Sequence, residues 1–243
     1  KPSALTRATL EDLVATARDL DRDRTLRGVV IAGEGDSFCA GLDSATVLKN
    51  PPRVARSFVP NPWRGTNLFQ EACWAWRRVP VPVVAAVHGH CYGGGLQIAL
   101  AADLRMTTAD AQWSVLEAKW GLVPDMSGIQ ALSQQVRMDV AKRLTMTGEV
   151  VSGERAVDLG LASEVHADPV AAATAFIEQV ATRSPDAVAA TKRLFGRTWS
   201  SSDRRTFARE RIEQAKLLAT KNTTIAREAA MKRAVPAFDP RRR

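Results

Sequence analysis

The sequence predicts an α/β fold with an α-helical C-terminal part. Two observations predict it. Short β-rich apolar runs alternate with helix-period segments in the first half of the chain, and beyond about residue 127 the pattern becomes almost wholly helical. Thr9 to Arg22 sets Leu10, Leu13, Val14, Ala17 and Leu20 at helical spacing, an amphipathic helix. Gly28-Val29-Val30-Ile31-Ala32 reads as a strand. Residues 50–64 carry Pro51, Pro52, Pro60 and Pro62, with Gly65 close by; this is a loop and a candidate lid. Phe69 to Trp76 is a helix with an aromatic face, Pro82 to Val87 a strand, and Leu96 to Ala102 a helix. Leu104–Thr107 and Gln112–Val115 read as short strands. The longest helices are expected over 170–183, 185–199 and 204–233. A core over 1–180 and a helical region over 181–243 follow from this, with no internal repeat visible in the residues.

The composition narrows the class. A chain of 243 residues with 45% hydrophobic and 25% charged residues is one soluble globular domain, or one with an appendage. No apolar stretch approaches the roughly 20 residues of a membrane span. The opening Lys1-Pro2-Ser3-Ala4-Leu5-Thr6 reads as a helix approach, not a secretory leader. Cys39, Cys73 and Cys91 are odd in number and lack zinc-like spacing, so reduced thiols in a cytoplasmic protein are expected, and no metal. No His and Asp or Asn set supports a cysteine nucleophile; the three read as small buried hydrophobes. His88 and His90 read as packing or loop residues. The net charge of +8 is scattered over helical segments without a nucleic-acid motif, and Arg241-Arg242-Arg243 reads as a solvated tail. An anionic small ligand carrying phosphates is the preferred partner.

Two glycine-bearing turns carry the chemistry. Ser37-Phe38-Cys39-Ala40-Gly41-Leu42-Asp43 follows the first strand, and Gly93-Gly94-Gly95-Leu96-Gln97 follows the second. Each alone is an ordinary strand-to-helix turn. Together they can bring two backbone N–H groups onto one carbonyl oxygen, and glycine permits the closest approach of backbone to ligand. Gly33-Glu34-Gly35 is not a dinucleotide fingerprint, because the following spacing fails.

Taken with Gly89-His90-Cys91-Tyr92 and with Trp113-Ser114-Val115-Leu116-Glu117 running into Gly121-Leu122-Val123-Pro124-Asp125, these residues resemble the crotonase (enoyl-CoA hydratase/isomerase) superfamily. The resemblance runs to about residue 170, with a compatible helical tail. It implies a spiral of stacked ββα units, a trimer or hexamer, and an acyl-CoA thioester as substrate, with coenzyme A part of that substrate and no separate cofactor. It implies an oxyanion hole from the N–H groups of Ala40 and Gly94, with Cys39, Gly41, Leu42, Asp43 and Gly93 lining the thioester site. Family members usually carry a strand pair before the position of Lys1.

In family hydratases two glutamates hold a water. The first position is Gln97 here, which cannot ionise; the second is Glu117, intact and entered by Trp113 and Val115, where an apolar pocket would raise its pKa. Asp125 stands where many hydratases carry glycine and where isomerase relatives place an acid. The alternative for Asp125 is a cap on a helix beginning near Ser127. Glu117 and Asp125 together suggest double-bond isomerisation; hydration as in fatty-acid β-oxidation, and a catalytically silent acyl-CoA-binding scaffold, are the alternatives.

Overall fold

The computed structural model describes residues 4–42 and 55–242. Asp43 and the proline-rich start of the candidate lid, 50–54, lie outside the described residues. Among the described residues the elements are helix α1 (Arg7–Arg22), strand β1 (Val29–Ala32), α2 (Leu68–Trp74), β2 (Val83–Val87), β3 (His90–Tyr92), α3 (Gly94–Ala101), β4 (Leu104–Thr107) and β5 (Gln112–Ser114). A 3-10 turn (Leu116–Trp120) follows, then α4 (Gly128–Gln135), α5 (Met138–Thr147), β6 (Val151–Ser152), α6 (Gly153–Leu159) and β7 (Glu164–Val165). Four helices close the chain: α7 (Pro169–Ala181), α8 (Pro185–Thr198), α9 (Asp203–Leu218) and α10 (Lys221–Lys232).

The strands form two sheets. One runs β1-β2-β4-β7, parallel throughout, with Val29 opposite Val83 and Val84 opposite Leu104. The other runs β3-β5-β6, with β3 parallel and β6 antiparallel to β5. Each of the pairs β2–β3 and β4–β5 gives one strand to each sheet before the chain turns into a helix. The pattern begins with β1 and the isolated bridge between Cys39 and Cys91. This is the spiral of ββα units that the resemblance implies. Its repeat is invisible in the residues because the units differ greatly in length: a long excursion through α2 separates β1 from β2, whereas α3 alone separates β3 from β4.

Local chemistry accounts for the elements that place the site. β2 is the central strand and is buried at every position, so it reads as an unbroken apolar run rather than an alternating one. α3 is buried at all eight residues, which explains why it has no polar face. α1 begins with a capping box between Thr6 and Thr9 and buries Leu10, Val14 and Ala17. α2 begins the same way through Asn67 and Gln70, and buries Phe69, Ala72 and Cys73. α7 closes the other face of the parallel sheet, setting Ala173 among Val84, Ala86 and Met106. A Cβ at Gly28 would lie 2.4 Å from Ile177 Cγ2, so glycine there lets the helix approach.

Two expectations are corrected here. The segment 204–233 is two helices, because Thr220 ends one and caps the next through Thr223 N–H at 3.2 Å. Of the terminal arginines, Arg242 is exposed and Arg243 lies outside the described residues, but Arg241 is not solvated. Arg241 is 3% exposed, and its guanidinium donates to the carbonyls of Asp21 (2.8 Å), in the last turn of α1, and Asp23 (2.7 Å), its C-cap. Free carbonyls at a helix C-terminus attract a cation, and this end of α1 supplies them. Arg242 N–H donates to Asp186 Oδ1 at 2.7 Å, which ties the tail to α8 as well.

Candidate active site

The two glycine turns meet. Cys39 N–H donates to His90 O (2.9 Å) and Tyr92 N–H donates to Cys39 O (3.0 Å), so the first turn adds itself to β3. A Cβ on Gly41 would lie 3.1 Å from Tyr92 O and 3.8 Å from Gly94 N. Gly41 also has φ +96°, which a side chain would strain. Gly95 is required for the same junction, since a Cβ there would sit 2.5 Å from Cys39 Cβ and 2.9 Å from Cys39 O. Among the described residues the Ala40 N–H donates to no backbone carbonyl outside helices and strands. Gly94 is the first residue of α3, where helix N–H groups lack intrahelical partners and the helix dipole is positive. Leu42, Leu5 and Met126 close over Gly94. Asp43 lies outside the described residues.

Glu117 comes to this junction from beyond β5, the neighbour of β3 in the same sheet. β5 leads into the 3-10 turn that carries it, and its Oε1 lies 3.4 Å from where a Cβ on Gly93 would be. Gly93 has φ +50° and donates its N–H to Ser114 O at 3.0 Å, which fixes the turn against β5. Gln97, one turn into α3, donates from Nε2 to Glu117 Oε1 at 2.6 Å and accepts Gly128 N–H at Oε1 at 2.9 Å. The two contacts assign the amide orientation, because only nitrogen can donate to the carboxylate. Glu117 Oε2 is buried with no partner among the described residues. Burial pushes the Glu117 pKa above the ordinary carboxylate value; the Gln97 hydrogen bond opposes this and the charge of Asp125 adds to it. Asp125 is raised as well, chiefly by burial.

The structure removes the capping alternative for Asp125. α4 starts at Gly128 behind Ser127, whose φ is +70°, and no side chain of that turn caps it. The first N–H of α4 is satisfied from a distance by Gln97. Gly128 was not singled out from sequence. A Cβ there would lie 2.6 Å from Gln97 Oε1 and 2.8 Å from Pro124 Cβ, so the residue is small in order to admit the amide. A glycine three residues after a candidate acid, opening a helix, is the only signal the sequence held.

The cysteines behave as buried hydrophobes. Cys39, Cys73 and Cys91 are all buried, and burial holds their thiols above the ordinary value. His90 Nδ1 hydrogen-bonds Ser37 Oγ at 2.9 Å and His88 Nε2 hydrogen-bonds Gly35 O at 2.8 Å, which ties the first turn to β3 from the side. Among the described residues no cluster of His, Cys, Asp and Glu could hold a metal, and no helix is long and apolar enough to cross a membrane.

Comparison with known proteins places this arrangement. A family model described as enoyl-CoA hydratase/isomerase matches residues 1–239. The mitochondrial Delta(3,5)-Delta(2,4)-dienoyl-CoA isomerase of Rattus norvegicus is 32% identical over 204 residues, 79% of this chain and 61% of that one. The (E)-benzylidenesuccinyl-CoA hydratase of Thauera aromatica is 33% identical over 174 residues, 70% of this chain and 64% of that one. The chain thus spans under two thirds of the length of these two relatives. Among solved structures, DspI of Pseudomonas aeruginosa superposes with a TM-score of 0.89 at 29% identity, covering 98% of this chain and 90% of that one.

Proposed function

The chain belongs to the enoyl-CoA hydratase/isomerase family, and on that premise we propose that it stabilises the enolate of an acyl-CoA thioester and moves a double bond along the acyl chain. The observation that carries the reading is the pair of carboxyl groups with raised pKa, Glu117 and Asp125, with an amide instead of a third carboxylate against Glu117. The thioester carbonyl would accept the N–H groups of Ala40 and Gly94. Charge then develops on its oxygen when a proton leaves a conjugated carbon, and removing one such donor typically costs on the order of 3 kcal/mol in the barrier. Glu117 Oε2 takes that proton. Asp125, the second carboxyl group of the reading, returns a proton to the other end of the allylic system. Glu117 ends protonated and Asp125 ionised, and exchange with solvent restores both.

Hydration is the second reading. The unpartnered Glu117 Oε2 favours it, since a buried acceptor left without a protein partner can be satisfied by a water. However, the Gln97 carbonyl is already engaged by Gly128, so the amide offers that water no second base. Crotonyl-CoA and a conjugated dienoyl-CoA followed by ultraviolet absorbance separate the two. Turnover of the dienoyl thioester with little hydration supports isomerisation; turnover of neither supports a silent acyl-CoA-binding protein. Family membership also supports a trimer or a dimer of trimers, which sedimentation at micromolar concentration tests.

A further inference from the structure

A cleft lies away from these turns. The turns sit beyond the C-terminal ends of β2 and β3. The cleft, about 840 Å³, opens where α2 ends and the chain approaches β2, between the end of α1 and helices α8 and α9. Among the described residues nine arginines and lysines line it against two carboxylates, Asp21 and Glu213. Glu213 is already shared by Arg193 (2.7 Å) and Lys216 (3.7 Å). The side chains of Arg24 and Arg197 make no hydrogen bond or ion pair within 4 Å among the described residues, although the charge of Glu213 reaches Arg197.

Arg241 makes this more than a charged rim. It is almost fully buried, and its two carbonyl contacts use one terminal nitrogen only. Its Nε is buried with no partner. The charges of Asp21 and Asp23 attract the guanidinium, and those of Arg24 and Arg193 repel it. A buried guanidinium donor left without a hydrogen-bond partner costs free energy unless an acceptor joins it. Arg77 lies over the Trp74 ring, 4.5 Å from its centroid, and gives the cleft a flat cationic wall. A flat basic face would suit a nucleic acid or a membrane. This surface is concave and of small-molecule size.

We propose that this cleft binds a small organic polyphosphate, at a site separate from the acyl-CoA site. Arg24, Arg197 and the Arg241 Nε supply donors to its phosphate oxygens, as forked guanidinium groups do. The proposal does not rest on the reaction assigned above, because its readout is binding.

Calorimetric titration of the full-length protein with ATP, with pyrophosphate and with sulfate at matched ionic strength tests it. Repeating the titration on protein saturated with a non-reactive acyl-CoA thioether distinguishes the two sites. Saturable binding of ATP and pyrophosphate, tighter than sulfate and unchanged by the thioether, is the expected result. The double variant Arg24→Ala/Arg197→Ala should weaken it by about tenfold or more, while acyl-CoA turnover and thermal stability stay unchanged. Competition by the thioether would assign the phosphate contacts to coenzyme A and overturn the proposal. Equal weak binding of all three anions, or no effect of the double variant, would overturn it as well.

Discussion

Replacing Gln97 by glutamate tests the site most directly, because the structure sets the size of the effect. The amide nitrogen lies 2.6 Å from Glu117 Oε1. A carboxylate in its place would put two negative charges at that separation while one oxygen still accepts Gly128 N–H. At an effective dielectric constant of about 20 the repulsion is about 6 kcal/mol, and solvent reaching half-buried Glu117 reduces this to a few kcal/mol. Either figure exceeds the roughly 1.4 kcal/mol that equals a tenfold change in protonation. The pair must then share one proton across a range of neutral and mildly acidic pH, and its two titration steps belong to the dyad, not to either residue. Isomerisation that needs ionised Glu117 should therefore lose activity at a higher pH in Gln97→Glu than in the natural protein. Hydration of a short enoyl-CoA, which uses one protonated and one ionised carboxyl, should appear between the two steps. Turnover measured from pH 4 to pH 9 on both substrates reads both effects. An acid limb that stays in place, with no gain in hydration, would refute the reasoning, since residue 97 would then not face Glu117 in the working enzyme.

Glu117→Gln should lower turnover by about 10²–10⁴-fold, the usual worth of a general base, whereas Gln97→Ala should cost less. The same Glu117→Gln change should raise the melting temperature at pH 7. The raised pKa means that Glu117 contributes stability fully below its unfolded value of about 4.5 and loses it as pH rises through the folded value, so calorimetry at pH 4 should show little difference. Asp125→Asn should suppress dienoyl-CoA isomerisation and leave the fold intact, because Asp125 caps no helix; full activity in a steady-state assay would remove it from the proton path. Gly95→Ala should destabilise by about 1–3 kcal/mol in denaturant titration, because the contact it meets includes the Cys39 backbone and cannot swing away.

What the sequence revealed, and what it hid, follows from the range of the interactions. Strand and helix periodicity over 28–32, 82–87 and 112–115 is local, and the two glycine turns are local, so both were legible. Glu117 and Asp125 were legible as types in a motif. The short strands at 151–152 and 164–165 were not, because two residues carry no period and exist only through pairing with β5 and β4. The buried place of Arg241 depends on carbonyls more than two hundred residues earlier, and a terminal run of arginines carries no sign of that partner. The break at Thr220 was local, but a threonine cap inside a long helix-forming run is a weak signal beside the run itself.

Gln97 shows the same point where it affects chemistry. From sequence it reads as a lost acid, and a lost acid suggests a silent protein. In the fold the residue has two duties at once. It accepts the first N–H of α4 and it donates to Glu117. A carboxylate could do the first only, and an aliphatic side chain neither. An amide is the side chain that satisfies both without a proton, and it does so while holding one oxygen of Glu117 and leaving the other unpartnered. A site that had decayed would have no reason to keep Gly128 small beside that amide, or to keep a carboxylate of raised pKa against the second glycine turn. The arrangement thus gives Glu117 one oxygen held by an amide and one left open, which is what the proposed double-bond shift asks of its base.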